Sequence, residues 1–297
     1  MRLEQMTVHL RSRSSWEAME LGFALVRREA SVIWKAWLLV TLPLFLLLNF
    51  AAWSADMLWS AWLLMLWLKP VFDRIPLFVI SRSVFGATPG IGETLRAQLD
   101  WGWRPMLAYL TWRRFSPARS LLMPIELLEG GKGFRLRERR RVLGGAVYGN
   151  AALLTFVCLL FETALIGGCI FTIALYVRPE LLPETLRTAW SMIGHERPWW
   201  VTFAGNAFAW LAVSVIEPFF VGAGFGLYLN RRTQIEAWDV EIAFRKLRAR
   251  LAAAATPLAL VLVLGLALLG TGLLPAHAQQ AGGSAAAADA KPDTAPT

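Results

Sequence analysis

The sequence contains few of the residues from which catalytic and metal sites are built. Its 297 residues include 2 cysteines and 3 histidines. His195-Glu196 is followed by arginine and proline, so the second histidine of an HExxH zinc motif is missing. The glycines at 130–133 lack the spacing and the Ser or Thr of a P-loop. We therefore expect no enzymatic activity, no bound metal and no cofactor.

Charged residues are also scarce, at 17% of positions against 56% hydrophobic ones. A mean hydropathy of +0.48 is typical of a helical membrane protein that crosses the bilayer several times. Cys158 and Cys169 lie in one apolar run, eleven positions apart, which is too far for a disulfide along a helix. No apolar core of a secretion signal follows the first basic residues. The chain is therefore expected to be an all-α integral membrane protein without a cleaved leader.

Five apolar runs predict membrane spans. They lie at about 36–53, 57–72, 146–176, 199–229 and 251–274. The second run is short and contains Lys69-Pro70, so Lys69 either reaches the interface or the chain continues irregularly toward Ile80. The fourth run carries Glu217-Pro218 near its middle, and a helix of its length must tilt, extend into the headgroups or break at the proline.

Basic residues are distributed unevenly between these runs. Of the 30 lysines and arginines, 26 precede the first run, lie between Lys69 and Arg141 inclusive, or lie between the fourth and fifth runs. The positive-inside rule then places the N-terminus in the cytoplasm and the C-terminus in the periplasm of a bacterial inner membrane. Membrane topology thus accounts for the net charge of +9, and nucleic-acid binding is not needed to explain it.

The segments outside the runs predict further helices. Residues 1–30 form a cytoplasmic amphipathic helix on the membrane surface, with the capping-box spacing Ser14–Glu17. The long cytoplasmic loop, 73–145, lies at the interface or forms a small lobe. The helical membrane domain is expected to cover 31–275, and 276–297 to be a disordered extracytoplasmic tail.

The last run allows two interpretations. Ala276-His277-Ala278 after a basic and an apolar region has the form of a signal-peptidase site, whereas the length of the apolar run favours a membrane-anchored last span.

Two carboxylates lie inside apolar runs, where a charged group is costly. Glu162 and Glu217 either line one cavity, with Asn150, Thr155 or Asn206 as partners, and form an ion or proton path, or they make interhelical hydrogen bonds. The Gly222–Gly226 spacing predicts that another helix approaches the fourth span closely.

The densest positive charge lies in the long loop and after the fourth span. It is either an ordinary solvated loop or a docking surface for anionic lipids or an acidic partner. The candidate contact residues are Arg113, Arg114, Arg119, Arg231, Arg232, Glu236 and Asp239, of which Arg232 and Glu236 have the spacing of a helical ion pair.

Three stretches carry a family resemblance: LWLKPVFDRIPLFVISRSVFG at 66–86, TWRRFSPARSLLMPIELLEG at 111–130, and EPFFVGAGFGLYLNRRTQIEAWDVEIAFRKL at 217–247. The chain resembles bacterial inner-membrane proteins of the domain-of-unknown-function 4129 type over most of 1–275. It has a looser likeness to glycerophosphodiesterase-associated membrane domains. The resemblance implies genes near a MoxR-type AAA ATPase and often a following outer domain. This sequence departs from that pattern by ending in a low-complexity tail, which leaves the outer domain absent, separate or truncated.

Two functions of different class follow. The first is a non-enzymatic scaffold or subunit of an ATPase-linked envelope complex, whose cytoplasmic lobe contacts the ATPase. The second is a transporter or lipid-handling protein that uses Glu162 and Glu217 as a relay.

Overall fold

A computed structural model describes residues 11–130, 133–175 and 198–236, together with single positions at 184, 244, 248 and 251. The chain divides into two compact units, Met1–Ile242 and Ala243–Thr297, and the architecture below belongs to the first. The described ranges contain helices and no strands. The helices are α1 Ser15–Arg28, α2 Ala30–Ser54, α3 Trp59–Phe72, α4 Arg74–Ser83, α5 Ile91–Asp100, α6 Trp103–Leu110, α7 Arg119–Glu129, α8 Gly133–Gly144, α9 Tyr148–Leu175 and α10 Trp199–Glu236, with a 3₁₀ turn at Gly145–Val147.

Three segments are long and apolar enough to cross a membrane: Ala30–Ser54, Gly133–Thr172 and Trp199–Glu236. The predicted all-α fold is therefore confirmed and these three segments fit a membrane protein, but five spans are not confirmed. The second predicted span corresponds to α3, whose 14 residues reach only about 21 Å. The fifth, at 251–274, and the tail lie outside the described residues.

The chain continues as helix beyond the second run, because α4 follows α3 after the single residue Asp73. One of the two sequence-based alternatives proposed that Lys69 reaches the membrane interface, and the structure shows that it does not. It is 9% exposed and points into the protein, where carboxylates from two other helices contact it. The charged partners, rather than the headgroups, fix its position.

Helix α10 is unbroken over 38 residues, with Pro218 inside it. Its second half is surrounded by protein, since every residue from Phe220 to Asn230 is buried. Its first half presents Trp199, Leu211 and Val215 to the outside. Of the three alternatives that the sequence left open, a break at the proline is thus excluded.

Helices α1 and α2 run antiparallel along α10. A Cβ atom built on Gly22 would lie 2.1 Å from the carbonyl oxygen of Gly222, and one built on Gly226 would lie 2.1 Å from the carbonyl oxygen of Ala18. The close approach predicted from the glycine spacing is confirmed, and its partner is α1. The buried side chains of α1 therefore pack on α10, whereas the sequence placed this helix on the membrane surface. The predicted cap is present, because Ser14 Oγ accepts a hydrogen bond from the Glu17 amide.

The contacts with α10 continue along α2, which runs antiparallel to α10 as α1 does. Trp37 Nε1 donates to Ser214 Oγ at 3.0 Å, and Phe45 stacks on Trp210 at 5.3 Å between ring centroids. Trp37 is 1% exposed and lies in a core between α2, α3 and α10. The larger core lies between α1, α4, α7 and the second half of α10.

Large apolar side chains are exposed on the outside of four helices, which is the pattern expected of a lipid-facing surface. This apolar belt includes Leu38, Leu42, Leu46, Phe50 and Trp53 of α2, Trp59, Leu63 and Trp67 of α3, Phe156, Leu160 and Phe171 of α9, and Trp199, Leu211 and Val215 of α10.

Candidate functional site

Five charged side chains meet beside α10, and we call them the charge cluster: Lys69, Asp73, Arg119, Glu162 and Glu217. Lys69 Nζ lies 2.8 Å from Glu162 Oε1 and 2.8 Å from Glu217 Oε2. Arg119 pairs with Glu217 through Nη2 and lies 3.2 Å from Asp73 Oδ2 through Nε. One lysine and one arginine thus connect three carboxylates from different elements.

The local sequence explains how the cluster is assembled. Lys69 and Asp73 are one helical turn apart at the end of α3, so both project from the same face. Arg119 is the first residue of α7, Glu162 lies near the middle of α9, and Glu217 precedes the proline of α10. The end of α3 and three other helices thus contribute to the cluster, so only the tertiary packing brings the charges together.

The cluster is almost completely removed from solvent. Asp73 and Glu217 are each 1% exposed and Glu162 is 7% exposed. Isolated buried charges are strongly unfavourable, so the pairing is what makes this arrangement tolerable. Three carboxylates face two cations, which leaves a formal charge of −1. The cluster can therefore take up one proton and become neutral overall.

A cavity of about 640 Å³ adjoins the charge cluster. It is enclosed by α3, the segment before α7, α9 and α10, and it opens beside exposed apolar side chains of α3 and α9. Its lining consists of Leu63, Leu66, Trp67, Lys69, Arg114, Phe115, Ser116, Pro117, Arg119, Thr155, Cys158, Leu159, Glu162, Glu217 and Phe220. Most of the lining is apolar, and three of its charged residues, Lys69, Glu162 and Glu217, are buried.

The predicted pair Glu162 and Glu217 both line this cavity, and Thr155 lines it too. Asn206 belongs to a different polar contact, in which its amide donates to Asn49 Oδ1 at 2.8 Å. Asn150 is half-buried on α9 and is not part of the lining.

Sequence reasoning missed Lys69 and Asp73 and found no basic partner for the glutamates. The available signal was the four-residue spacing of Lys69 and Asp73 at the end of an apolar run. That spacing places two charged side chains on the same face of an apolar helix. Because buried charges need partners, such a face indicates that other elements supply opposite charges.

The candidate partner-contact residues largely bond within the protein. Arg113 pairs with the buried Glu126, and Arg114 donates to the carbonyl oxygens of Leu66 and Trp67 at 2.5 and 2.7 Å. Arg119 belongs to the charge cluster.

Around the end of α10, bonds link side chains of the same helix and of α8. The predicted pair Arg232–Glu236 is present at 2.9 Å, and Arg139 contacts Glu236 at 2.7 Å. Arg231 donates to Gln234 at 3.1 Å. Asp239 lies outside the described residues.

Two further buried groups belong to the lobe formed by α4–α8. Burial raises the pKa of Glu126, although Arg113 and Arg140 act in the opposite direction. Burial lowers the pKa of Arg74 to about 10, so this guanidinium stays cationic at neutral pH. Arg74 donates to the carbonyl oxygens of Gln98 and Trp101, both at 2.6 Å, and thereby caps the end of α5.

The described ranges contain no group of three or more His, Cys, Asp or Glu side chains suited to a metal ion. Comparison with protein-family models, with curated proteins and with solved structures gives no match for this chain. The geometry of the charge cluster and its cavity therefore carries the functional argument.

Proposed function

We propose that this chain is a lipid-handling or transport protein of the membrane, which takes an amphiphilic molecule into the cavity beside the charge cluster. The observation that carries this proposal is the cavity of about 640 Å³, whose lining is mostly apolar and includes the buried charged residues Lys69, Glu162 and Glu217. Binding cavities for small molecules have this size and this mixture of apolar surface with a few polar groups. Its opening beside exposed Leu63 and Leu159 suits a ligand that arrives from the bilayer.

Glu162 and Glu217 act in this proposal as a polar relay. Lys69 bridges them, and Glu217 is further held by Arg119. Glu162 has Lys69 as its one cationic contact in the described part of the chain, and it is the more exposed of the two. It is therefore the carboxylate most easily released from its partner when a ligand or a proton arrives. Catalysis plays no part in this proposal.

The membrane setting that we propose is a bacterial inner membrane with five crossings, the N-terminus in the cytoplasm and the C-terminus in the periplasm. The partition of basic residues supports this topology. The resemblance to the domain-of-unknown-function 4129 type remains a prediction, as does the outer tail at 276–297.

Transport by the reconstituted protein tests the function. We expect vesicles containing the full chain to translocate fluorescent phospholipids or take up an amphiphilic solute. Glu162→Gln and Glu217→Gln should each slow this activity severalfold, because each removes from the relay a charged carboxylate with which the ligand or proton must interact. Glu93→Gln is the matched control, since Glu93 forms an exposed pair with Arg82. Full activity in both cluster variants would reject the proposal.

A second candidate is the scaffold of an ATPase-linked envelope complex, with a MoxR-type AAA ATPase as the partner. The observation that favours it is α8, which exposes Arg135, Arg137 and Arg141 at the surface. Because Arg113 and Arg119 pair with buried carboxylates of the protein itself, Arg135, Arg137 and Arg141 are better placed to contact an acidic partner or anionic lipids. Changing all three to glutamate should abolish copurification with the cognate ATPase, whereas unchanged recovery would exclude this role for α8.

A further inference from the structure

Arg114 differs from the other charged residues of the cavity. Lys69, Arg119, Glu162 and Glu217 are tied into ion pairs with one another. In the ranges 11–130, 133–175 and 198–236, Arg114 forms no ion pair with a carboxylate. Its guanidinium donates to two carbonyl oxygens and lies 4.6 Å from the centre of the Trp67 ring. The cavity therefore carries one cation whose charge is not matched by a contacting anion.

The position of Arg114 is fixed by the sequence of α3. Pro70 has no N–H to donate to the carbonyl oxygen of Leu66, one turn earlier in the helix. Arg114 fills this gap with Nη2 and reaches the next carbonyl with Nη1. Two of the five N–H groups of the guanidinium are used in this way, and the other three remain for a ligand. A group held so firmly is preorganised for binding.

The surroundings of Arg114 match a molecule with an anionic head and an apolar tail. The half-buried Ser116 and the strongly exposed Phe115 lie next to it on the rim of the cavity. Leu63, Trp67 and Leu159 extend from the rim onto the apolar belt. Guanidinium groups bind phosphate through paired charge-assisted hydrogen bonds.

We propose that Arg114 binds the phosphate of a phospholipid whose acyl chains lie against Leu63 and Leu159. This inference rests on the proposed function and names the class of ligand that the cavity takes. The positive rim selects an anionic head, and the paired charges of the charge cluster leave no second unmatched cation among the described residues that line the cavity.

Cross-linking tests the site directly. The purified full chain is exposed to phosphatidylglycerol with a diazirine on its acyl chain and, separately, to diacylglycerol with the same chains and label. We expect the phospholipid to label residues near Leu63 and Leu159, with diacylglycerol at least roughly tenfold weaker, because a charge-assisted hydrogen bond is lost. Inorganic phosphate at millimolar concentration should leave the labelling unchanged, since it lacks the apolar contacts.

Two substitutions of Ser116 separate recognition of the phosphate from effects on folding, and a substitution of Arg114 itself completes the set. Ser116→Glu places a negative charge beside Arg114 without removing its bonds to α3, and should reduce phospholipid labelling at least severalfold. Ser116→Gln has similar size without the charge and should label as the unchanged protein does. Arg114→Gln should reduce labelling further, with thermal unfolding measured alongside because its bonds to Leu66 and Trp67 are also lost.

The outcomes distinguish this inference from the proposed function. Equal labelling of the cavity by phospholipid and diacylglycerol, with Ser116→Glu and Ser116→Gln alike, would overturn phosphate recognition and leave an amphiphile-binding cavity in place. Absence of labelling at the cavity by either lipid would overturn both. Displacement by inorganic phosphate would show that the site takes the free ion rather than a lipid.

Discussion

At the scale of single residues, Lys69 determines whether the charge cluster can exist. It contacts Glu162 and Glu217 at 2.8 Å each, and it is the only lysine in the cluster. Removing one partner from a buried ion pair leaves a charge without compensation, which costs far more than the pair contributes on balance. The effect of a substitution here therefore depends on the charge that it leaves behind.

Lys69→Met should destabilise the protein by roughly 3 to 5 kcal/mol, because it leaves three buried carboxylates with Arg119 alone. Glu162→Gln should cost clearly less, because Lys69 keeps Glu217 and the formal charge of the cluster falls to zero. Unfolding in detergent, followed by tryptophan fluorescence, measures both. Arg82→Gln, in an exposed pair with Glu93, serves as the control and should change stability by at most about 1 kcal/mol. A Lys69→Met variant as stable as this control would contradict the account.

These residues also show which part of the site the sequence could predict and which part it could not. Glu162 and Glu217 were found because a carboxylate inside an apolar run is unusual wherever it is. Lys69 was interpreted from its immediate neighbours, and nothing nearby in sequence indicated two carboxylates 93 and 148 positions further on. Burial of a lysine is a property of the assembled helices, which local patterns do not contain.

At the scale of helices, the prolines inside α3 and α10 share one feature. In each case a side chain from another element donates a hydrogen bond to the carbonyl oxygen that the proline leaves unpaired. Pro218 lacks the N–H that would bond to the carbonyl oxygen of Ser214, and Trp34 Nε1 donates to that oxygen at 3.1 Å. Arg114 does the same for Leu66 in α3. An unpaired carbonyl is costly in an apolar environment, so these donors let proline-containing helices remain unbroken.

Trp34→Phe should therefore destabilise the protein by about 0.6 to 2 kcal/mol, because it keeps an aromatic ring but removes the donor. In a Pro218→Ala background the same change should cost less, since the alanine N–H can bond to Ser214. Unfolding free energies of the two single variants and the double variant give the coupling between the two positions. Strictly additive effects would show that Trp34 does not compensate for the proline.

The element scale also shows what sequence patterns predict well. The cap at Ser14 and the close approach at Gly222 both follow from short-range spacing, and both are present. The sequence left open whether α10 breaks at Pro218, because the donor that compensates for the proline lies 184 positions away from it. The packing of α1 on α10 was missed because an amphipathic pattern does not identify what covers its apolar face.

At the scale of the whole molecule, the contacts along α10 indicate the course of the chain. Helix α2 follows α10 away from Ser214 to Asn206, which contacts both Asn49 and the Leu58 carbonyl. Helix α3 then brings Lys69 back to Glu217, roughly 16 Å along the axis of α10. The chain therefore reverses between α2 and α3, and the lobe of α4–α8 packs on the same half of α10 as α1 does.

This return supports counting α3 as a crossing, since the N-terminal helix and the basic lobe then share one side of the membrane. A reporter fused before residue 1 should be shielded from protease added to intact spheroplasts, because the basic segments stay in the cytoplasm. A reporter fused after Thr297 should be digested, because five crossings end on the opposite side. A reporter inserted at the exposed Gly133, in the lobe, is the internal control and should be shielded. Digestion at Gly133 with shielding at Thr297 would mean that α3 does not return the chain across the membrane, and the proposed topology of five crossings would be wrong.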